Sequence, residues 1–304
     1  MPIHQTPLSR RQFLASGVAT VASLSVLQSS WAGEQADPNC FALLADTHIP
    51  DRPEVAARDV NMTENLRQVT QEVVALKNKP AGVIINGDCA FLKGLPEDYA
   101  NLAECVAPLA EARLPLHLTM GNHDDRTTFY QMLADQRPDR PLVESKHVGV
   151  IESPHVNLFL LDSLQAVNVV TGEIGEQQRK WLAEALDARS DKPAVVIAHH
   201  NPQFTPPAEG ARWGGLQDTE KFFELLASRK QVKAYVYGHT HNWAITKHEG
   251  IHLINLPPVA YVFAPGKPNG WIHAQFQKGG VELQLHAIDR SHAAHGEKVE
   301  LAWS

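Results

Sequence analysis

An α/β fold is predicted by three observations on this 304-residue sequence. Apolar, strand-like runs alternate with segments of helical period, the alternation persists through most of the chain, and five of the runs stop at a cluster of Asp, Asn and His. Such alternation stacks helices on sheets. With 43% hydrophobic and 20% charged residues, the chain has apolar surface enough for a full core.

In chain order, "CFALLAD" reads as the first strand, followed by a helix from about Glu64 to Lys77 in which Leu66, Val69, Val73 and Leu76 share one face. "AGVIIN" is a second strand, a helix runs from about Glu97 to Ala112, and "LPLHLT" is a third strand. The same alternation resumes with "VNLFLLD", a helix from about Glu176 to Asp187 carrying Trp181, Leu182, Ala185 and Leu186, and "AVVIAHH". "NPQFTPPAEGARWGG" is too rich in Pro and Gly for either element, and its length marks a surface or active-site loop. After a helix from about Asp218 to Arg229 and the strand "VKAYVYGH", the chain turns to strands: "WAITKHEGIHLINL", "GWIHAQFQ" and "VELQLHAI", with "HEG" and "KGG" as hairpin turns. No repeat or linker interrupts this order, so residues 33–304 are expected to form a single domain. The C-terminal "HAAHGEKVELAWS" carries no functional signal.

The N-terminus reads differently. Arg10 and Arg11 precede a stretch without charge until Glu34, and Ser30-Trp31-Ala32 offers a small-residue cleavage site. This order describes a secretory signal over residues 1–32, and "SRRQFL" resembles the twin-arginine export motif, which implies export to the periplasm. The run is short and rich in Ser, Gly and Ala, so no stable membrane span is expected. The formal charge is −7 at pH 7, and residues 1–32 hold two Arg and no acid, so cleavage leaves a still more acidic protein. That balance argues against a nucleic-acid-binding module, which needs clustered Lys and Arg. Cys40, Cys89 and Cys105 are an odd number, so no disulfide framework is implied.

The strand ends carry the chemistry. "ALLADTH" ends in Asp46 and His48, "VIINGD" in Asp88, "LHLTMGNHDD" in Asn122, His123 and Asp124, "VVIAHH" in His199 and His200, and "AYVYGHTH" in His239 and His241. Alone, each is ordinary turn chemistry. Together they are not, because turn geometry does not select His repeatedly, and the carboxyl ends of strands in an α/β sheet face one crevice. Carboxylate, imidazole and amide donors without thiolate suit hard to borderline divalent or trivalent cations. Asp46, His48, Asp88, Asn122, His199, His239 and His241 are too many for one tetrahedral ion, whereas two ions sharing Asp88 would use them all.

"DTH", "GD", "GNHD", "HH" and "GHTH", in that order, resemble the five motifs of the calcineurin-like metallophosphoesterases from about Phe41 to Leu256. Within that superfamily, "LLDS", "GEIGEQQRKWLAEAL" and "HHNP" are most similar to the class III cyclic nucleotide phosphodiesterases. The resemblance implies a four-layer α-β-β-α sandwich with mixed sheets. It places Asp46, His48 and His241 on one metal ion, Asn122, His199 and His239 on the other, and Asp88 between them. It further implies a metal-bound hydroxide as nucleophile and His123 as the acid that protonates the leaving group. Asp124 is expected to orient His123, Gly121 to supply backbone freedom, and His200 to pack behind the ligands.

Two sibling groups do not fit. Purple acid phosphatases carry a Tyr three residues after the bridging Asp, where this chain has Phe91; Ser/Thr phosphatases read "GDxVDRG" and "GNHE" where this chain reads "GDCAFLKG" and "GNHD". The expected activity is hydrolysis of a small phosphate ester, a diester in the first instance. A phosphomonoesterase or nucleotidase on the same site, and a non-catalytic metal-binding protein, are the alternatives. Fe, Mn and Zn are the expected metals, and Arg212, Trp213, Tyr261 and Phe263 are candidates for lining the substrate pocket.

Overall fold

The structure, a computed structural model, describes residues 36–303; the expected signal over residues 1–32 lies outside them. The chain enters β1 (Asp37–Ala45), makes a small hairpin of β2 (Ala56–Ala57) and β3 (Val60–Asn61), and continues through α1 (Met62–Ala75), β4 (Pro80–Asn86), α2 (Pro96–Glu111) and β5 (Leu116–Thr119). A short α3 (Arg126–Met132) leads to β6 (Gly149–Glu152), β7 (Asn157–Leu160), α4 (Glu176–Asp187), β8 (Ala194–Ile197), α5 (Thr219–Ala227) and β9 (Val232–Tyr237). Five strands finish the chain: β10 (Ala244–His248), β11 (Ile251–Asn255), β12 (Gly270–Gln277), β13 (Gly280–Ala287) and β14 (Lys298–Ala302).

Two six-stranded sheets result, in the orders β14-β13-β12-β1-β4-β5 and β10-β11-β9-β8-β7-β6. Both are mixed. β1, β4 and β5 run parallel in the first while β12 joins β1 antiparallel; β7, β8, β9 and β11 run parallel in the second, with antiparallel edges.

β1 shows why the sheets lie inside. Its residues alternate faces, yet Phe41 and Leu43 are as buried as Ala42 and Leu44, which is why it reads as an unbroken apolar run. Phe41 and Leu43 meet Leu158, Val195 and Ile197 of the second sheet, while Leu44 packs under Leu66 and Val69 of α1 and Leu102 of α2. Across the second sheet, Leu182 of α4 and Phe222 of α5 cover Phe159, Val196 and Tyr235. The layers are therefore α-β-β-α, as expected.

The helices keep their expected places with small shifts at their ends. α1 starts at Met62 because the Asn61 side chain accepts from the Glu64 amide at 2.9 Å, an N-cap overlooked in the sequence. α3 is likewise capped by Asp125, which accepts from the Thr128 amide at 2.8 Å. All three cysteines are free and buried. Among the described residues, no helix is long and apolar enough to cross a membrane.

Candidate metal centre

The parallel strands end on one side of each sheet, and there the chain reverses into the site. Asp46, His48, Asp88, His239 and His241 hold left-handed φ values of 52°, 46°, 48°, 67° and 50°. For residues with a Cβ this costs on the order of 1–3 kcal/mol each, so the rest of the fold must enforce it. Asn86, buried at the end of β4, does part of this work across the two sheets: its Nδ2 donates to Ala198 O at 3.0 Å and its carbonyl accepts from His199 Nδ1 at 2.9 Å. Asp46 similarly accepts from the His239 amide at 3.0 and 3.1 Å.

Three groups of possible ligand atoms converge: Asp46 with His48 and His241, Asp88 with His199 and His239, and His48 with Asp88 and His123. The first holds the three residues expected on one ion, and the second holds two of the three expected on the other together with Asp88, the residue expected to be shared. Asp88 Oδ2 lies 3.6 Å from His48 Nε2 and 3.2 Å from His199 Nε2, so one carboxylate oxygen faces both groups. Asn122 is buried, and its Oδ1 has no hydrogen-bond partner.

The imidazoles are oriented by backbone carbonyls. His48 Nδ1 donates to Phe91 O at 3.1 Å, His241 Nδ1 to Tyr261 O at 2.5 Å and His239 Nε2 to Gly214 O at 2.8 Å. A ring nitrogen bonded to a carbonyl must carry the proton, so the other presents a lone pair. As a result the bare Nε2 atoms of His48 and His241 face each other at 2.9 Å, and His199 Nε2, buried, makes no hydrogen bond. Opposed lone pairs and unpartnered buried acceptors repel or go unsatisfied unless a cation lies among them. The residues present fit a pair of divalent ions.

For three of the rings the charge state agrees, while His199 is held protonated when no ion is bound. Burial, partly offset by Asp88, pushes His48 down to about 3, and burial pushes His239 and His241 to about 4. These rings are neutral ligands at neutral pH. Burial opposes ionisation of Asp88, but the charge of the facing His199 outweighs it and holds the carboxyl well below its usual range. For His199, burial is outweighed by Asp88 and Asp46, which raise it to about 9; burial pushes Asp46 up to about 7.

Metal-free protein should accordingly be most stable near neutrality. His48, His200, His239 and His241 are depressed, so their contribution is present above about 6.5 and is lost as pH falls toward their folded values. Asp46 and Asp124, raised to about 7 and about 6, act oppositely over part of that interval but are fewer, while His199 loses its contribution as pH rises toward about 9. Thermal melts of chelator-treated protein should fall off on both sides; a melting temperature that rose steadily down to pH 5 would contradict this assignment.

Two expectations need correction. Asp124 does not touch His123: buried completely, its carboxylate accepts from the amides of Cys89, Ala90 and Gly121 at 3.2, 3.1 and 2.9 Å and from Tyr99 Oη at 3.1 Å. It braces the turns after β4 and β5, and His123 is instead oriented by Leu92, whose carbonyl accepts from Nδ1 at 2.9 Å. Gly121 is not needed for a left-handed conformation, since its φ is not positive. A Cβ there would instead strike the carboxylate and amide of Asp88. Gly121→Ala should therefore lower stability by about 1–3 kcal/mol, the usual cost of overpacking, and reduce bound metal; unchanged melting temperature and metal content would refute this.

His200 packs behind the centre as expected, with Nδ1 2.7 Å from Ser163 Oγ. Tyr261 and Phe263 lie at the site: Tyr261 stacks on His48 with centroids 5.4 Å apart, and Phe263 on His241 at 4.1 Å. Trp213 turns its Nε1 to Leu216 O at 3.2 Å, and Arg212 is exposed. The long Pro- and Gly-rich loop reaches the centre through its backbone, at Gly214.

Residues 41–243 match the Calcineurin-like phosphoesterase family. The chain belongs to that family. It is a metallophosphoesterase, a metal-dependent hydrolase whose donor groups indicate a dinuclear site. It is 28% identical over 247 residues to the 3′,5′-cyclic adenosine monophosphate phosphodiesterase CpdA of Vibrio vulnificus, covering 80% of this chain and 84% of that protein. It is 26% identical over 224 residues to the glycerophosphodiester phosphodiesterase GpdQ of Enterobacter lignolyticus, covering 73% and 77%. Its fold is similar to that of a dimetal phosphatase from Danio rerio, with a TM-score of 0.67, 16% identity and coverage of 88% and 100%.

Proposed function

We propose that this metallophosphoesterase is a phosphodiesterase, with Asp46, His48 and His241 on one ion, Asn122, His199 and His239 on a second, and Asp88 shared. The observation that carries the reading is the convergence of two donor groups on one Asp88 oxygen, with a histidine that belongs to neither set beside them. Two such ions supply Lewis-acid charge to an in-line displacement at phosphorus and activate water near neutral pH.

The chain's own contribution is positioning and a proton. His123 gives Nδ1–H to Leu92 O, which frees Nε2 for the substrate side; acting as imidazolium, the ring hands its Nε2 proton to the departing oxygen and is left neutral with Nδ1–H still on Leu92 O, and its backbone amide donates to Asp88 Oδ1 at 2.9 Å. The backbone of His123 is thereby tied to the same carboxylate that the two donor groups would share. A metal store would have no use for such a histidine. The diester preference is supported by the two phosphodiesterases named above, and Fe, Mn or Zn is proposed because the donors are all nitrogen and oxygen. We further propose that residues 33–304 act as one domain, exported to the periplasm by a twin-arginine signal over residues 1–32.

The test is a panel of cyclic nucleotides, glycerophosphodiesters and phosphomonoesters on protein of measured metal content. Diesters are expected to turn over fastest. A faster reaction with monoesters would replace the reading with a phosphomonoesterase or nucleotidase, and no hydrolysis of any ester by protein holding two ions would refute it.

A further inference from the structure

The hairpin of β2 and β3 turns through two residues, Arg58 and Asp59, whose φ values are 51° and 63°. Two consecutive positive φ angles are the mark of a type I′ turn, which favours Asn-Gly; here a long cation takes the strained place. The hairpin is held at its base by Asn61, which caps α1 and donates through Nδ2 to Pro53 O at 2.9 Å. Its tip is fixed against the mouth of the metal centre: the Arg58 guanidinium lies 5.0 Å from the centroid of Phe263 and 5.6 Å from that of Tyr261. Those rings stack in turn on His241 and His48.

Arg126, Arg179 and Arg229 are each paired with an aspartate. Arg58 is exposed, and no described carboxylate lies within ion-pairing distance of it. Contact with the rings occupies the face of the guanidinium and leaves its N–H edge free for an acceptor. Because Tyr261 and Phe263 stand between Arg58 and the metal-centre histidines, that acceptor is not the phosphorus group undergoing attack. Phe263 is 51% exposed, so the space beyond it is open.

Resting on the phosphoesterase reading above, we infer that Arg58 recognises a second anionic group, phosphate or carboxylate, carried by the substrate beyond the scissile phosphate. Arg58 is then a specificity residue that favours esters with two negative groups over those with one.

The experiment compares wild type, Arg58→Gly and Arg58→Lys on the p-nitrophenyl ester of thymidine 5′-phosphate with and without a 3′-phosphate. Glycine suits the left-handed φ, so Arg58→Gly removes the guanidinium without straining the turn. Wild type should show a KM about tenfold lower for the ester with the 3′-phosphate, as one charge-assisted hydrogen-bonded pair provides. Arg58→Gly should erase that difference with kcat little changed, and Arg58→Lys should retain part of it. Calorimetric titration with thymidine 3′,5′-bisphosphate and thymidine 5′-monophosphate should show the same preference without turnover. Glycerate 3-phosphate against glycerol 3-phosphate gives the carboxylate arm, and an Arg58-dependent preference in either pair supports the inference. No preference in wild type for either pair, or a preference that survives in Arg58→Gly, overturns it. Failure of the phosphoesterase reading would look different: metal-loaded wild type would leave bis(p-nitrophenyl) phosphate intact while the titrations still reported on Arg58.

Discussion

Asp88→Ala is expected to yield a folded protein that holds at most one metal ion and hydrolyses bis(p-nitrophenyl) phosphate below detection. The single oxygen Oδ2 faces His48 on one side and His199 on the other, so its loss removes a donor from both groups at once. The other oxygen accepts the His123 amide, so the proposed acid loses its tether in the same step. Among the described residues no other carboxylate is placed to substitute, because Asp46 is engaged by the His239 amide and Asp124 by four donors of its own. Elemental analysis and circular dichroism on the same sample check the result. Two ions per chain with normal turnover would remove Asp88 from the centre of the site.

His123→Ala should separate chemistry from metal binding. Its ring lies near His48 and Asp88, but neither of the two main donor groups needs it, so metal content should stay at the wild-type value. Turnover of alkyl esters should fall by about 10²–10⁴-fold, the usual contribution of a positioned acid. Esters of p-nitrophenol should fall less, because that leaving group departs without a proton. An equal loss on both kinds of ester, or loss of metal, would mean that His123 has another task.

Much of the site was legible because side-chain type and strand-end position were sufficient clues. Asp46, Asp88, Asn122, His199, His239 and His241 all follow strands that end on one side, and the alternating pattern exposed those strands. What stayed hidden depends on backbone atoms. The carbonyls of Phe91, Leu92, Gly214 and Tyr261 orient four imidazoles, and nothing in a residue's identity announces where its carbonyl points. For the same reason Asp124 was assigned to its neighbour in sequence, His123, when its partners are the amides of Cys89 and Ala90 after β4, the Gly121 amide after β5 and Tyr99 of α2. The β2–β3 hairpin escaped because strands of two residues carry no periodicity, and β14 because its alternating "KVELA" is half exposed at a sheet edge.

The sharing of donors between sheets has a consequence for assembly. Asp46, His48 and Asp88 follow strands of one sheet, and His199, His239 and His241 follow strands of the other. The Asp46–His48–His241 and Asp88–His199–His239 groups therefore both straddle the seam. Neither half of the chain can complete either of those two groups by itself, and an ion bound in them would act as a rivet between the two halves. Metal uptake should report on closure of that seam, and chelation should loosen the two sheets from each other before it unravels either one.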